Sequence, residues 1–247
     1  MGRTGYEEVE AAIKEREEVL DGIENPPRMG TMNIANNEFV EFPKMPRLSR
    51  EMSLTEKIDG TNASIVITDE GEFLVGSRTR WITPEQDNYG FARWAYEHKE
   101  ELLQLGVGRH YGEWWGSGVQ RNYGQKQKHF SLFNVGRWVD TQPHSYYDWT
   151  NLENPVFVVN NGNGVVSPLK DKQEYAPACC RVVPILYEGM FDTVQIQRVI
   201  NALKNLGSVA APGFMDAEGA IIYHIAGNLA FKKTIKNDET PKSLVKK

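Results

Sequence analysis

Ala63–Thr68 and Glu72–Gly76 are short runs rich in strand-forming residues, and the Asp69-Glu70-Gly71 between them is a turn. The same pattern returns at Tyr111–Trp115, Phe130–Val135, Val182–Tyr187, Gly219–Ile225 and Leu229–Thr234, the last two joined by Ala226-Gly227-Asn228. So many short strands leave little room for a helical bundle. Two clear helices interrupt them. One runs from about Tyr89 to Leu105, with Phe91, Trp94, Leu102 and Leu105 as its apolar positions. The other starts at Asp192, where Asp192 and Gln195 make a capping-box pattern, and stops before Gly207. Mostly antiparallel sheets with a few packed helices predict an α+β fold.

Residues 6–20 read as a surface helix ended by Asn25-Pro26-Pro27. Residues 1–30 carry eight acidic against four basic side chains, so most of the chain's net charge of -5 belongs to this extension, taken as residues 1–28. Phosphate contacts elsewhere must then come from local basic clusters. The stretch 140–178 is rich in Pro, Asn and Gly without a clean period and reads as an insertion in a domain spanning 29–240. No apolar run approaches the ~20 residues of a membrane helix, so a cytoplasmic protein with no membrane partner is expected. Cys179 and Cys180, the two cysteines, make neither a disulfide framework nor a zinc site.

Chemistry concentrates at Thr55-Glu56-Lys57-Ile58-Asp59-Gly60-Thr61-Asn62. A lysine stands at a turn between two strand-like runs, beside carboxylates, with a glycine that lets backbone approach a ligand. Such a lysine is a candidate nucleophile, since an amine attacks phosphorus once its lone pair is free. K-x-D-G alone also fits a surface hairpin with a salt bridge. Five further segments follow in order: Ser77-Arg78-Thr79-Arg80; Gly112-Glu113-Trp114-Trp115-Gly116 with the run Gly118 to Gly124 behind it; Phe130-Ser131-Leu132-Phe133-Asn134; Glu218-Gly219-Ala220-Ile221-Ile222-Tyr223-His224; and Leu229-Ala230-Phe231-Lys232-Lys233-Thr234.

Together these six segments resemble the covalent nucleotidyltransferase superfamily, and most closely its RNA ligase 2-like branch of ATP-dependent RNA ligases. The resemblance covers about Met29 to Asp238 and implies a ligase nucleotidyltransferase (adenylyltransferase) domain. It implies that Lys57 takes AMP from ATP and that Glu56 accepts from the adenine amino group. Arg78 would bind phosphate or ribose, and Glu113 a ribose hydroxyl. Phe130 would stack on the purine, with Phe133 as the alternative, although Phe133, Trp114 and Trp115 also read as core. Asn62 belongs to the Thr-Asn pair that RNA ligases favour. Glu218 and Asp59 would hold Mg2+ or Mn2+, and Asp59 has a structural alternative. Lys232 would neutralise the α-phosphate. His224 stands where many relatives have a lysine, and one of the two lysines usual in the last segment is missing.

After that segment only about a dozen residues remain, so neither a C-terminal OB-fold nor a helical domain is expected. The substrate would be RNA with 3′-hydroxyl and 5′-phosphate ends, an accessory protein helping to hold it. A minimal DNA ligase is one alternative. A nucleic-acid end-binding subunit that adenylylates weakly is another.

Overall fold

The computed structural model describes residues 41–139 and 175–238, together with the backbone of two strands at 145–148 and 156–159. The expected helix at 6–20 and most of the 140–178 segment lie outside the described residues. The chain divides into two units, 1–44 and 45–247. Every described strand and helix belongs to the second.

Two sheets organise that unit. The strands are β1 (Glu51–Lys57), β2 (Thr61–Ile67), β3 (Phe73–Ser77), β4 (Gly108–Gly116), β5 (Lys128–Leu132), β6 (Ser145–Asp148), β7 (Val156–Val159), β8 (Cys180–Val182), β9 (Ile185–Met190), β10 (Gly219–His224) and β11 (Leu229–Thr234). One sheet has the order β11-β10-β1-β9-β6-β7 and the other β3-β2-β4-β5-β8. The pairings are antiparallel except β5 with β8. The α+β expectation holds. β6 and β7 fall inside the expected insertion and extend the first sheet at its edge.

Chain connectivity puts β1 and β2 in different sheets although three residues separate them. The turn 58–60 is therefore the bridge between the sheets, and it demands Gly60. A Cβ there would overlap the Trp114 carbonyl oxygen and come within 2.8 Å of Trp115 Cβ. The close approach that the sequence assigned to a ligand is made by β4 itself.

The second sheet buries one face under helix α1 (Phe91–Glu97), where Phe91 meets Trp114 and Phe130 at ring-centroid distances of 5.3 and 5.0 Å. The expected helix over 89–105 is broken in two. α1 ends at His98, whose backbone leaves helical geometry and whose ring meets the Trp94 carbonyl. A four-residue α2 (Lys99–Leu102) and a 3-10 turn follow. Asp87 starts α1, its carboxylate accepting from the backbone N–H groups of Asn88, Ala92 and Arg93. A short α3 (Val135–Trp138) follows β5.

Helix α4 (Thr193–Leu206) packs on the first sheet through Val199, Ile200, Ala202 and Leu203. Asp192 caps it by accepting from Val194 N–H, as the sequence predicts, and Gly207 ends it. Val194, in the first turn, is exposed. Among the described residues no helix is long and apolar enough to cross a membrane.

Candidate active site

Strand alternation decides which side chains reach the space between the sheets. Along β1, Leu54 and Glu56 point to the α4 side, and Thr55 and Lys57 point the other way. Along β4, Gly112 and Trp114 face α1, so Glu113 and Trp115 face Lys57. Two sheets thus deliver Lys57 and Glu113 to one place. The next strand adds Glu218, immediately before Gly219, which pairs with Lys57.

Lys57 Nζ lies 2.6 Å from Glu218 Oε2, with Glu218 almost wholly buried and Lys57 about one fifth exposed. Gly60 N–H donates to Glu113 Oε1 at 2.9 Å. Burial pushes the Glu113 carboxyl up to about 7, against that hydrogen bond and the charge of Lys57. Glu113 is therefore poised between its two protonation states near neutral pH.

A second set of contacts brackets this pair. Arg121 Nε donates to Asp59 Oδ2 at 2.9 Å, and its Nη1 reaches Asp216 Oδ2 at 3.0 Å. Asp59 follows Lys57 by two residues and Asp216 precedes Glu218 by two, so one guanidinium ties both approaches to the Lys57–Glu218 contact. Its fork geometry suits that bridging role better than an ammonium would. The loop holding Arg121 carries positive φ at Gly118, Gln120, Asn122, Tyr123 and Gly124. Tyr123 is bulky for that region of backbone space. It is held by packing between Trp115 and Phe214 (5.3 and 4.6 Å between ring centroids) and by the Asp59 N–H, which donates to its hydroxyl at 2.8 Å. Burial pushes the Tyr123 hydroxyl pKa upward, so it stays neutral.

Several expected roles change. Glu56 points away from Lys57, and its carboxylate is taken up by Ser208 Oγ–H (2.6 Å) and the N–H groups of Val209 and Ala210 (2.9 and 2.8 Å). Reading of adenine by Glu56 does not fit that geometry; it anchors the loop after α4, and burial pushes its pKa up to about 6. Phe130 is fully buried against α1, on the face of β5 away from Lys57, and cannot stack on a nucleotide there. Phe133, read with the core, is 40 % exposed instead. Its N–H donates to the Tyr111 carbonyl, which continues the register past the end of β5 and puts Phe133 on the Glu113 face. Trp114 and Trp115 are core, as expected.

Asn62 pairs with Glu113 across β2 and β4, exposed on the same face. Arg78 is exposed just past β3. Lys232 pairs with Ile221, which pairs with Thr55, so it shares the Lys57 face two strands away, about 10 Å across the sheet. Lys57's own row ends in Thr234. Lys233 lies on the opposite face and pairs with Asp238 at 2.9 Å. His224 is buried on the α4 side, its Nδ1 accepting from Gly227 N–H and its other nitrogen meeting the Leu48 carbonyl. It replaces no phosphate-binding lysine in this cleft.

For a metal, Asp59 faces Arg121 and Glu218 faces Lys57, and no group of three His, Cys, Asp or Glu side chains converges among the described residues. These residues do not form a carboxylate cage. They fit a Mg2+-type ion that keeps water and takes phosphate oxygens, with few protein ligands. Arg121, Tyr123, Asp216 and Ser208 had no assigned role in the sequence. Only the Gly-flanked run 118–124 marked Arg121's position, and its partners are distant in the chain.

The site thus sets Lys57 against a buried carboxylate in the cleft between the two sheets, with a guanidinium bracing the segments on either side. The RNA ligase family model matches residues 50–236, and the chain belongs to that family. No curated protein matches it. Among solved structures it is similar to a Naegleria gruberi RNA ligase mutant with ATP and Mn, at 17% identity and TM-score 0.47 over 76% of this chain and 51% of that one. An apo mutant of the same ligase gives 19% identity and TM-score 0.46, over 75% and 50%. The chain spans about half the length of these structures.

Proposed function

We propose that the chain is an ATP-dependent RNA ligase working through a lysyl-AMP at Lys57. The observation that carries this reading is the 2.6 Å contact of Lys57 Nζ with buried Glu218, opposite Glu113, in a chain of the RNA ligase family. Glu218 is close enough to take the ammonium proton as a general base. The freed nitrogen attacks the α-phosphorus of ATP, the N–P bond forms and the bond to pyrophosphate breaks. AMP then passes to an RNA 5′-phosphate, regenerating Lys57. A 3′-hydroxyl attacks that activated phosphate, closing the phosphodiester and releasing AMP.

Phe133 offers the purine a stacking face. Glu113 and Asn62 line the ribose side, and Arg78 and Lys232 offer charge to the phosphates. The Arg121 bridge holds Lys57 and Glu218 in place as ATP enters. A divalent cation, Mg2+ or Mn2+, would supply neutralising charge at the phosphates, with Glu218 and Asp59 as the carboxylates beside it.

The test is incubation with α-labelled ATP or GTP and Mg2+ or Mn2+, then denaturing electrophoresis. Label from ATP that survives denaturation supports the reading; none under any condition ends it. Four matched nicks, with RNA or DNA on each side, then test the substrate. Sealing should be far better with RNA at the 3′-hydroxyl side, where a 2′-hydroxyl distinguishes the two. Equal sealing with DNA there would favour a DNA ligase.

A further inference from the structure

The β4 face that carries Glu113 continues beyond the Lys57 site. Arg109, Tyr111 and Glu113 are alternate residues of one strand, so their side chains share a face in rows about 7 Å apart. Glu113 is buried in the site, whereas Tyr111 is 54 % exposed and Arg109 is exposed. Trp81, at 51 % exposure, joins them. Its ring lies over Gly76, which pairs with Ser64 on the same face: a Cβ at Gly76 would sit 3.4 Å from the Trp81 ring and 2.6 Å from Ser64 Oγ. The missing side chain makes the seat for the indole. The Arg109 guanidinium lies 5.7 Å from the centre of that ring.

The result is a run of half-exposed aromatic side chains on one face of the sheet, with the Arg109 cation over the Trp81 ring. Phe133, opposite Tyr111, joins this row to the nucleotide site. Bases stack on aromatic and guanidinium planes, and phosphates pair with arginine. The surface thus offers both halves of polynucleotide recognition in a chain whose net charge is -5.

We propose that Trp81, Arg109 and Tyr111 form a docking platform for a single-stranded RNA end and lead it along β4 to Lys57. The proposal rests on the ligase reading.

The full chain is titrated into a fluorescein-labelled, unstructured oligoribonucleotide and its DNA equivalent, with anisotropy as readout. Wild type is compared with Trp81→Ala, Trp81→Phe and Arg109→Gln, and ATP labelling of each protein is measured in parallel. Losing one base stack should weaken RNA binding by Trp81→Ala about five-fold or more, and Trp81→Phe should restore most of it. Arg109→Gln should lower the slope of log affinity against log salt by about 0.7, one phosphate contact to a single strand. A labelled wild type whose RNA binding ignores both positions overturns the platform and leaves the ligase reading intact. A wild type that takes no label but binds RNA through Trp81 fails the ligase reading and supports the platform. Tighter, Trp81-dependent binding of DNA overturns RNA as the occupant.

Discussion

Lys57 and Glu56 are neighbours in sequence with opposite fates, because a strand sends them to opposite faces of one sheet. Lys57→Ala should abolish covalent labelling by ATP, and Lys57→Arg should do the same, since a guanidinium is not deprotonated in proteins. A labelled Lys57→Ala protein would move the nucleophile elsewhere. Lys57 also partners buried Glu218, so Lys57→Ala should lower stability by about 1–3 kcal/mol in chemical denaturation. Glu56 carries a pH signature. Its folded-state pKa of about 6 lies above the ordinary 4.5, so between those values the native state binds the extra proton. Stability should therefore fall as pH rises through that window, by about 2 kcal/mol from this group. Glu56→Gln should remove that contribution, because its carbonyl can accept from Val209 and Ala210 while its amide donates to Ser208. Denaturation midpoints at pH 4.5 and pH 7 that fall equally in mutant and wild type would show that Glu56 does not titrate there.

Strand β5 and its continuation hold the two phenylalanines that the resemblance offered for purine stacking. Phe130→Ala should cost about 3–5 kcal/mol of stability, since its ring fills the gap under α1. Phe133→Ala should leave the unfolding midpoint nearly unchanged and weaken ATP loading at low nucleotide concentration by roughly five-fold or more. The reverse pattern would return the stacking role to Phe130. In the loop 117–124, too, one residue decides between bracing and binding. Arg121→Ala removes the bridge between Asp59 and Asp216, so the rate of lysyl-AMP formation should fall more than ATP affinity does, in single-turnover labelling. Equal losses in both would make Arg121 a nucleotide contact rather than a brace.

At the scale of the whole molecule, the unit formed by residues 45–247 contains both sheets, the cleft and every residue assigned to the site. A chain beginning at Met45 should label with ATP within a few-fold of the full chain. A loss of about 100-fold, roughly 2.7 kcal/mol of barrier, would mean that residues 1–44 help to build the site. Ion pairing with RNA is screened by salt more than a buried catalytic contact is, so sealing should fall with ionic strength faster than lysyl-AMP formation.

The strand pattern and the order of motifs made the α+β class and the α4 cap at Asp192 legible in the sequence, and they singled out Lys57, Glu113 and Glu218, which the fold brings to one cleft. Local periodicity and residue chemistry carry that much. Facing was not legible wherever a third dimension decides it. Glu56 found partners 152 to 154 residues away, and Arg121 joined Asp59 to Asp216. Phe130 went under α1 and Phe133 to the cleft. Alternation along a strand says that two residues oppose each other, but only packing against a particular helix or sheet says which of them is buried.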